Sequence, residues 1–171
     1  MEPTSPAPVL VVALDFSEIG DHALAEALLW LSERPSALAH VVHVAAGYGP
    51  MLRLDLADDV KTVSQEELEQ FLSEHVRTRA AAFAAQRGTP ATDRLRTHVR
   101  VGVPSDEIVA FAAEQEADLV VVGTHRRHGV TRLLLGSVAE AVVRKAGCKV
   151  LVVRPKDYAP KPEAEGGESS A

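Results

Sequence analysis

The sequence predicts a doubly wound α/β domain, a five-stranded parallel sheet with helices on both faces. Two observations carry this. Stretches of strand length and stretches of helical period alternate along the chain in the order β-α-β-α-β-α-β-α-β. In addition, VLVVAL (9–14), DLVVVG (118–123) and KVLVVR (149–154) are valine-rich and do not alternate apolar with polar residues. Strands apolar on both sides need cover on both sides, which a parallel sheet obtains from its crossover helices.

The first strand, 9–14, is closed by turn residues. A helical stretch follows as far as Arg34, with Ala23, Ala27, Trp30 and Leu31 at helical spacing. ALAHVVHV (37–44) reads as the second strand. GYGPMLRLDLADD, which comes next, is punctuated by glycine and proline and is expected to be a surface excursion. Ser64, with Glu67 three residues later, is a capping-box signature: each side chain can satisfy the other residue's backbone N–H, opening a long helix. Leu68, Phe71, Leu72, Val76 and Phe83 mark the buried stripe of that helix, and Gly88 suits its C-terminal stop. RLRTHVRV (94–101) alternates as a half-exposed third strand should. Pro104 to Glu107 start a short helix ending near Gln115, and the fourth strand is 118–123. GSVAEAVVRKAG (136–147) is a helix between two glycines, and 149–154 is the fifth strand.

A length of 171 residues suits one domain. Hydrophobic residues make up 46% of the chain but aromatics only 4%, so the core must be built from Val, Leu, Ile and Ala. A net charge of −6 argues against nucleic acid or an anionic membrane as partner. Cys148 is the only cysteine, which excludes an intrachain disulfide and a cysteine metal cage. It sits beside Lys149, which could favour a thiolate, but a small buried residue is the simpler reading. MEPTSPAP lacks the pattern of a signal peptide, and the longest apolar runs are too short to span a bilayer, so a cytoplasmic protein is expected. Residues 1–8 and the tail 156–171 have little to bury and are expected to be disordered, leaving 9–155 as the folded unit.

In open parallel sheets, ligands bind beyond the carboxyl ends of the strands where the winding reverses. Polar and flexible residues collect after two strands: Asp15-Phe16-Ser17-Glu18 after the first, and Gly123-Thr124-His125-Arg126-Arg127-His128-Gly129 after the fourth. The sequence has no phosphate-cradling GxxxxGK[ST], no GxGxxG after a strand and no GxSxG nucleophile elbow. What remains is Gly123 at a strand end and Gly136-Ser137 at a helix start, where free N–H groups and the helix dipole favour phosphate. Between them lie His125, Arg126, Arg127, His128 and Arg132, a basic cluster in an acidic protein. His40 and His43 face opposite sides of a strand and make a poor metal pair, and nothing completes a metal site around His125 and His128.

VVVGTHRRHGVTRLLLGSVAEAVVRKAGCKVLVVRP resembles the C-terminal signature of the universal stress protein family, and VLVVALDFSE resembles the start of the same domain. The likeness spans roughly residues 9–155. The family's nucleotide-binding branch carries G-x2-G-x9-G-[ST]. Its first glycine falls on Gly123, its third on Gly136 and its hydroxyl on Ser137, whereas the second falls on Arg126. The resemblance implies Asp15 near base and ribose, Val44 at the adenine, and Val122, His125, Val138 and Ala139 around ribose and phosphates. It further implies a strand order of 3-2-1-4-5 and a homodimer through the fifth strand, Lys149 to Arg154.

Two functions are therefore carried forward. One is a stress-response regulatory module that binds ATP, with Mg²⁺ if the triphosphate is held. No general base is evident for it, so any hydrolysis should be slow, and Ser137 is at most a phospho-acceptor. The other is a nucleotide-free dimeric interaction module. Arg126 discriminates them: its side chain either crowds the ribose and phosphates or pairs with phosphate oxygens. Structural readings stand beside the functional ones. Ser137 and Glu140 form a second capping-box pattern, Gly123 could simply end a strand, and Asp15 could cap the first helix.

Overall fold

A computed structural model describes residues 7–48, 51–56, 59–87, 92–124 and 136–155. In chain order the elements are β1 (Val9–Ala13), α1 (Glu18–Ser32), β2 (Leu38–Tyr48), β3 (Met51–Leu56), β4 (Asp59–Ser64), α2 (Gln65–Arg87), β5 (Leu95–Val101), α3 (Pro104–Glu114), β6 (Leu119–Gly123), α4 (Ser137–Lys145) and β7 (Lys149–Val153). A 3₁₀ turn at Thr92–Arg94 precedes β5.

β1 is central, with β2 on one side and β6 on the other; β5 lies outside β2, and β7 outside β6. All these pairings are parallel, and the order β5-β2-β1-β6-β7 is equivalent to the expected 3-2-1-4-5. The winding reverses between β1 and β6.

Side chains alternate across the sheet, and both sides are covered. Leu10, Val12, Val41 and Val121 pack with Leu24, Ala27 and Leu31 of α1 and Leu68 and Leu72 of α2. Val11, Val42 and Val120 pack with Ile108 and Phe111 of α3 and Val142 of α4. Full burial of such a side chain contributes about 1.5–3 kcal/mol, so polar residues are kept out of both faces of β1 and β6. That accounts for the unbroken valine runs.

The segment expected to be a surface excursion forms, in its described part, a β-hairpin. β3 runs antiparallel to the end of β2 (Ala46 opposite Arg53, Gly47 opposite Leu52), and β4 runs antiparallel to β3 from Met51 opposite Ser64 to Leu56 opposite Asp59. Leu52 and Leu54 are buried, while Arg53 and Asp55 between them are exposed. This alternation was present in the sequence, but the glycine and proline beside it outweighed it.

The capping box opening α2 forms as expected. Ser64 N donates to Glu67 Oε2 at 2.8 Å, and Glu67 N donates to Ser64 Oγ at 3.2 Å. Leu68, Leu72, Val76 and Ala80 are buried, whereas Phe71 sits at the edge of the stripe. α1 has no basic residue in its last turn; Arg94 supplies the charge from elsewhere, donating to Leu31 O at 3.1 Å and Arg34 O at 2.8 Å. The expected loose ends lie outside the described residues except for Ala7 and Pro8, and so does Gly88. Pro8 O accepts from Leu38 N at 3.0 Å, which extends the sheet edge to that residue.

Candidate functional site

The carboxyl ends of β1 and β6 lie side by side at the reversal. Past β1 the chain turns sharply: Phe16 has φ 59°, a left-handed conformation that costs a non-glycine residue about 1–3 kcal/mol. Its ring is anchored against His43, Phe71 and His75, with centroids 4.6, 5.0 and 5.3 Å away. The turn leaves Asp15 exposed at the rim. Asp15 Oδ1 accepts from Ser17 N at 3.1 Å and Ser17 Oγ at 2.6 Å. Ser17 Oγ in turn accepts from Gly20 N at 3.0 Å. The cap of α1 is therefore Ser17, and Asp15 braces the cap instead of forming it.

His43 reinforces this turn from below. It is 7% exposed, and its Nδ1–H donates to Leu14 O at 2.8 Å. Burial holds its pKa below the usual histidine value, although the Leu14 carbonyl and Asp15 pull the other way.

The first turn of α1 lies directly on the ends of both strands. A β-carbon on Gly20 would stand 2.5 Å from Asp15 Oδ1, and one on Gly123 would stand 2.6 Å from Ile19 Cγ2. Gly123 does end a strand, and its bare Cα is what admits Ile19.

Thr124, which the sequence reading passed over, joins the other two segments. It is 6% exposed; its N–H donates to Val153 O at 3.0 Å, and its Oγ1 accepts from Gly136 N at 3.0 Å. No local pattern signals a bond between residues twelve apart. Gly136 (φ −56°, ψ 147°) occupies the N-cap position of α4, and Glu140 N donates to Gly136 O at 2.8 Å. Ser137 is thus the first helical residue, not the cap, which corrects the second capping-box reading. The N–H groups of Ser137, Val138 and Ala139 precede the first bond of the helix ladder and have no partner within it.

The apolar candidates gather on the α3–α4 side of the sheet. Val122 is 4% and Ala139 1% exposed, while Val44 and Val138 are half-buried against the cluster that contains Val42, Val120 and Val142. Arg100, opposite Val44 on β5, is occupied: its guanidinium bonds Glu107 at 3.1 Å and Glu114 at 2.8 Å. His125 and Arg126 lie outside the described residues, as does the rest of the basic cluster from Arg127 to Arg132.

Other candidates resolve simply. His40 and His43 do face opposite sides, His40 towards His98 and Phe111, and His43 towards Phe16. Burial pushes the half-buried Cys148 thiol up, which opposes thiolate formation. Among the described residues no group of three or more His, Cys, Asp or Glu could hold a metal ion, and no helix is long and apolar enough to cross a membrane.

The sequence profile described as "Universal stress protein family" matches residues 8–154. Universal stress protein G of Escherichia coli O157:H7 is 33% identical over 137 residues, covering 80% of this chain and 90% of that protein. Universal stress protein MJ0531 of Methanocaldococcus jannaschii is 51% identical over 61 residues, a match that spans 36% of each chain. The solved structure of the universal stress protein from Archaeoglobus fulgidus in complex with dAMP has a TM-score of 0.55 at 24% identity, covering 86% of this chain and 98% of that one. That likeness establishes the fold.

Proposed function

The chain belongs to the universal stress protein family, and on that footing we propose that it binds an adenine nucleotide, ATP in particular, as a regulatory module in a stress response. One observation carries the reading: three separate segments meet at one rim. The Asp15 turn reaches β6 through Ile19 and Gly123, and β6 reaches the start of α4 through Thr124 and Gly136.

Each part of a nucleotide has a counterpart there. The N–H groups of Ser137, Val138 and Ala139, with the α4 dipole, suit phosphate oxygens. Asp15 suits the ribose hydroxyls as an acceptor. Val44, Val122 and Val138 suit the flat apolar base. The resemblance puts His125 and Arg126 at the phosphate end, where the Arg126 guanidinium can pair with phosphate oxygens, and Mg²⁺ would enter with a bound triphosphate. The dAMP held by the Archaeoglobus relative supports an adenine ligand. A homodimer through β7 belongs to the same reading: β7 pairs with β6 on one side, and Leu151 on it is 38% exposed.

The test is to denature the purified protein, chromatograph the small molecules released, and titrate ATP with Mg²⁺ by calorimetry. Adenine nucleotide in the supernatant, or saturable heat, is the expected outcome. Arg126, standing where the family pattern has glycine, favours a second reading, the nucleotide-free dimeric interaction module. The absence of both released nucleotide and binding heat would support it. Arg126→Gly then locates the cause, because binding gained in that variant identifies the side chain as the obstruction.

A further inference from the structure

We propose that Thr124 is a positioning residue of this site: its hydroxyl ties the start of α4 to the end of β6 and so aims the α4 amides at the ligand. This inference rests on the nucleotide reading.

Thr124 is fixed on two sides. Its own N–H is bonded to Val153 O on β7 at 3.0 Å, while its Oγ1 receives the N–H of Gly136 at 3.0 Å. The residue is 6% exposed, so water competes weakly for that oxygen. Threonine is β-branched, which restricts χ1 and keeps the hydroxyl on line. The bond closes the interval from residue 124 to 136 at its base, removing freedom that the start of α4 would otherwise have.

The bond also decides which amides can serve. Gly136 N–H, the first donor at the helix start, is taken by Thr124. The donors left for a phosphate are those of Ser137, Val138 and Ala139, and their direction follows from where Gly136 is pinned. A hydroxyl lost here would free Gly136 N–H and let the three amides swing together, so affinity should fall although no ligand contact was removed. Pre-organised donors bind more tightly because no ordering remains to be done on binding.

The experiment compares wild type, Thr124→Val, which keeps the shape without the acceptor, and Thr124→Ser, which keeps the acceptor. Calorimetry with ATP and Mg²⁺ is run well below each melting midpoint, and hydrogen exchange is followed at the Gly136 amide without nucleotide. Expected are an affinity about tenfold weaker and a faster-exchanging Gly136 amide in Thr124→Val, with both restored to near wild type in Thr124→Ser. Unchanged affinity in folded Thr124→Val, or an unaccelerated Gly136 amide, overturns the assignment and leaves the nucleotide reading standing. A wild type that binds no nucleotide overturns both. Weak binding in both variants also overturns the assignment, because the hydroxyl would then not be the determinant.

Discussion

Gly123 at the end of β6 and Ile19 in the first turn of α1 are so close that a β-carbon on the glycine would stand 2.6 Å from Ile19 Cγ2 and 3.0 Å from the Ile19 carbonyl oxygen. Part of that contact is backbone, so a rotamer change cannot relieve it. Gly123→Ala should therefore push α1 away from the strand end and cost about 1–3 kcal/mol, read as a lower urea midpoint. Because the Asp15 turn rides on the same helix start, nucleotide affinity should fall too. An alanine variant as stable as wild type would show that the two elements are not packed this way.

The α2 cap offers a cleaner local test. Ser64→Ala should destabilise by about 1 kcal/mol. Ser64 and Glu67 act through one reciprocal pair of bonds, so the double variant Ser64→Ala/Glu67→Ala should cost less than the sum of the single ones. Chemical denaturation of the three variants measures this. Strict additivity would contradict a capping box.

Stability should fall on mild acidification. His40 Nδ1 and His98 Nε2 are 2.9 Å apart, one donating and the other accepting, so a second proton would set two cations in contact. Burial lowers both pKa values; His98 and Arg96 lower His40 further, and Arg100 lowers His98 further. Around the pair, Phe111 of α3 packs on both rings, and the nearby carboxylates Glu107 and Glu114 are engaged with Arg100. His43 is lowered by burial as well. The sign follows: below about pH 6.5 the unfolded chain takes up protons that the folded chain refuses. Stability is therefore retained above that pH and lost progressively beneath it. For His43, the most buried of the three, the slope is at most about 1.4 kcal/mol per pH unit until its folded pKa is reached. Urea midpoints between pH 5 and 7.5 should drop towards acid, and His98→Gln should flatten the curve. A pH-independent midpoint would contradict this reading.

Asp15 can be tested apart from the fold. Asp15→Asn keeps an oxygen to accept from Ser17, so the turn should survive with nearly unchanged stability, while ATP affinity falls on the order of tenfold through the weaker acceptor. Calorimetry and thermal melting together separate the two effects. A variant that binds like wild type would remove Asp15 from the site.

Much of this was legible in the chain because local chemistry and final environment agree. Valine runs mark strands covered on both faces, and Ser64 with Glu67 marks the start of α2. Legibility ended where a residue's partner lies far along the sequence. MLRLDL alternates as a hairpin strand does while DVKTVS does not, and only pairing with β2 and with each other distinguishes them from a surface loop. Thr124 carries no motif; its part depends on Gly136, which the fold returns to it. Ser137 was displaced by one position because the residue before it, held by Thr124, takes the cap. Phe16 shows no sign in sequence of its left-handed backbone, which the aromatic cluster around His43 sustains. Gly123 ends β6, as one reading of the sequence has it, and the neighbour that its bare Cα admits is Ile19.

The most direct test is to follow backbone amide NMR shifts while adding ATP with Mg²⁺ to the full chain. The expected result is saturable movement concentrated at Ser137, Val138 and Ala139, with smaller changes at Asp15 and Thr124. Shifts confined to other surfaces, such as the outer edge of β5, or no shift at millimolar nucleotide, would contradict a phosphate site at the start of α4.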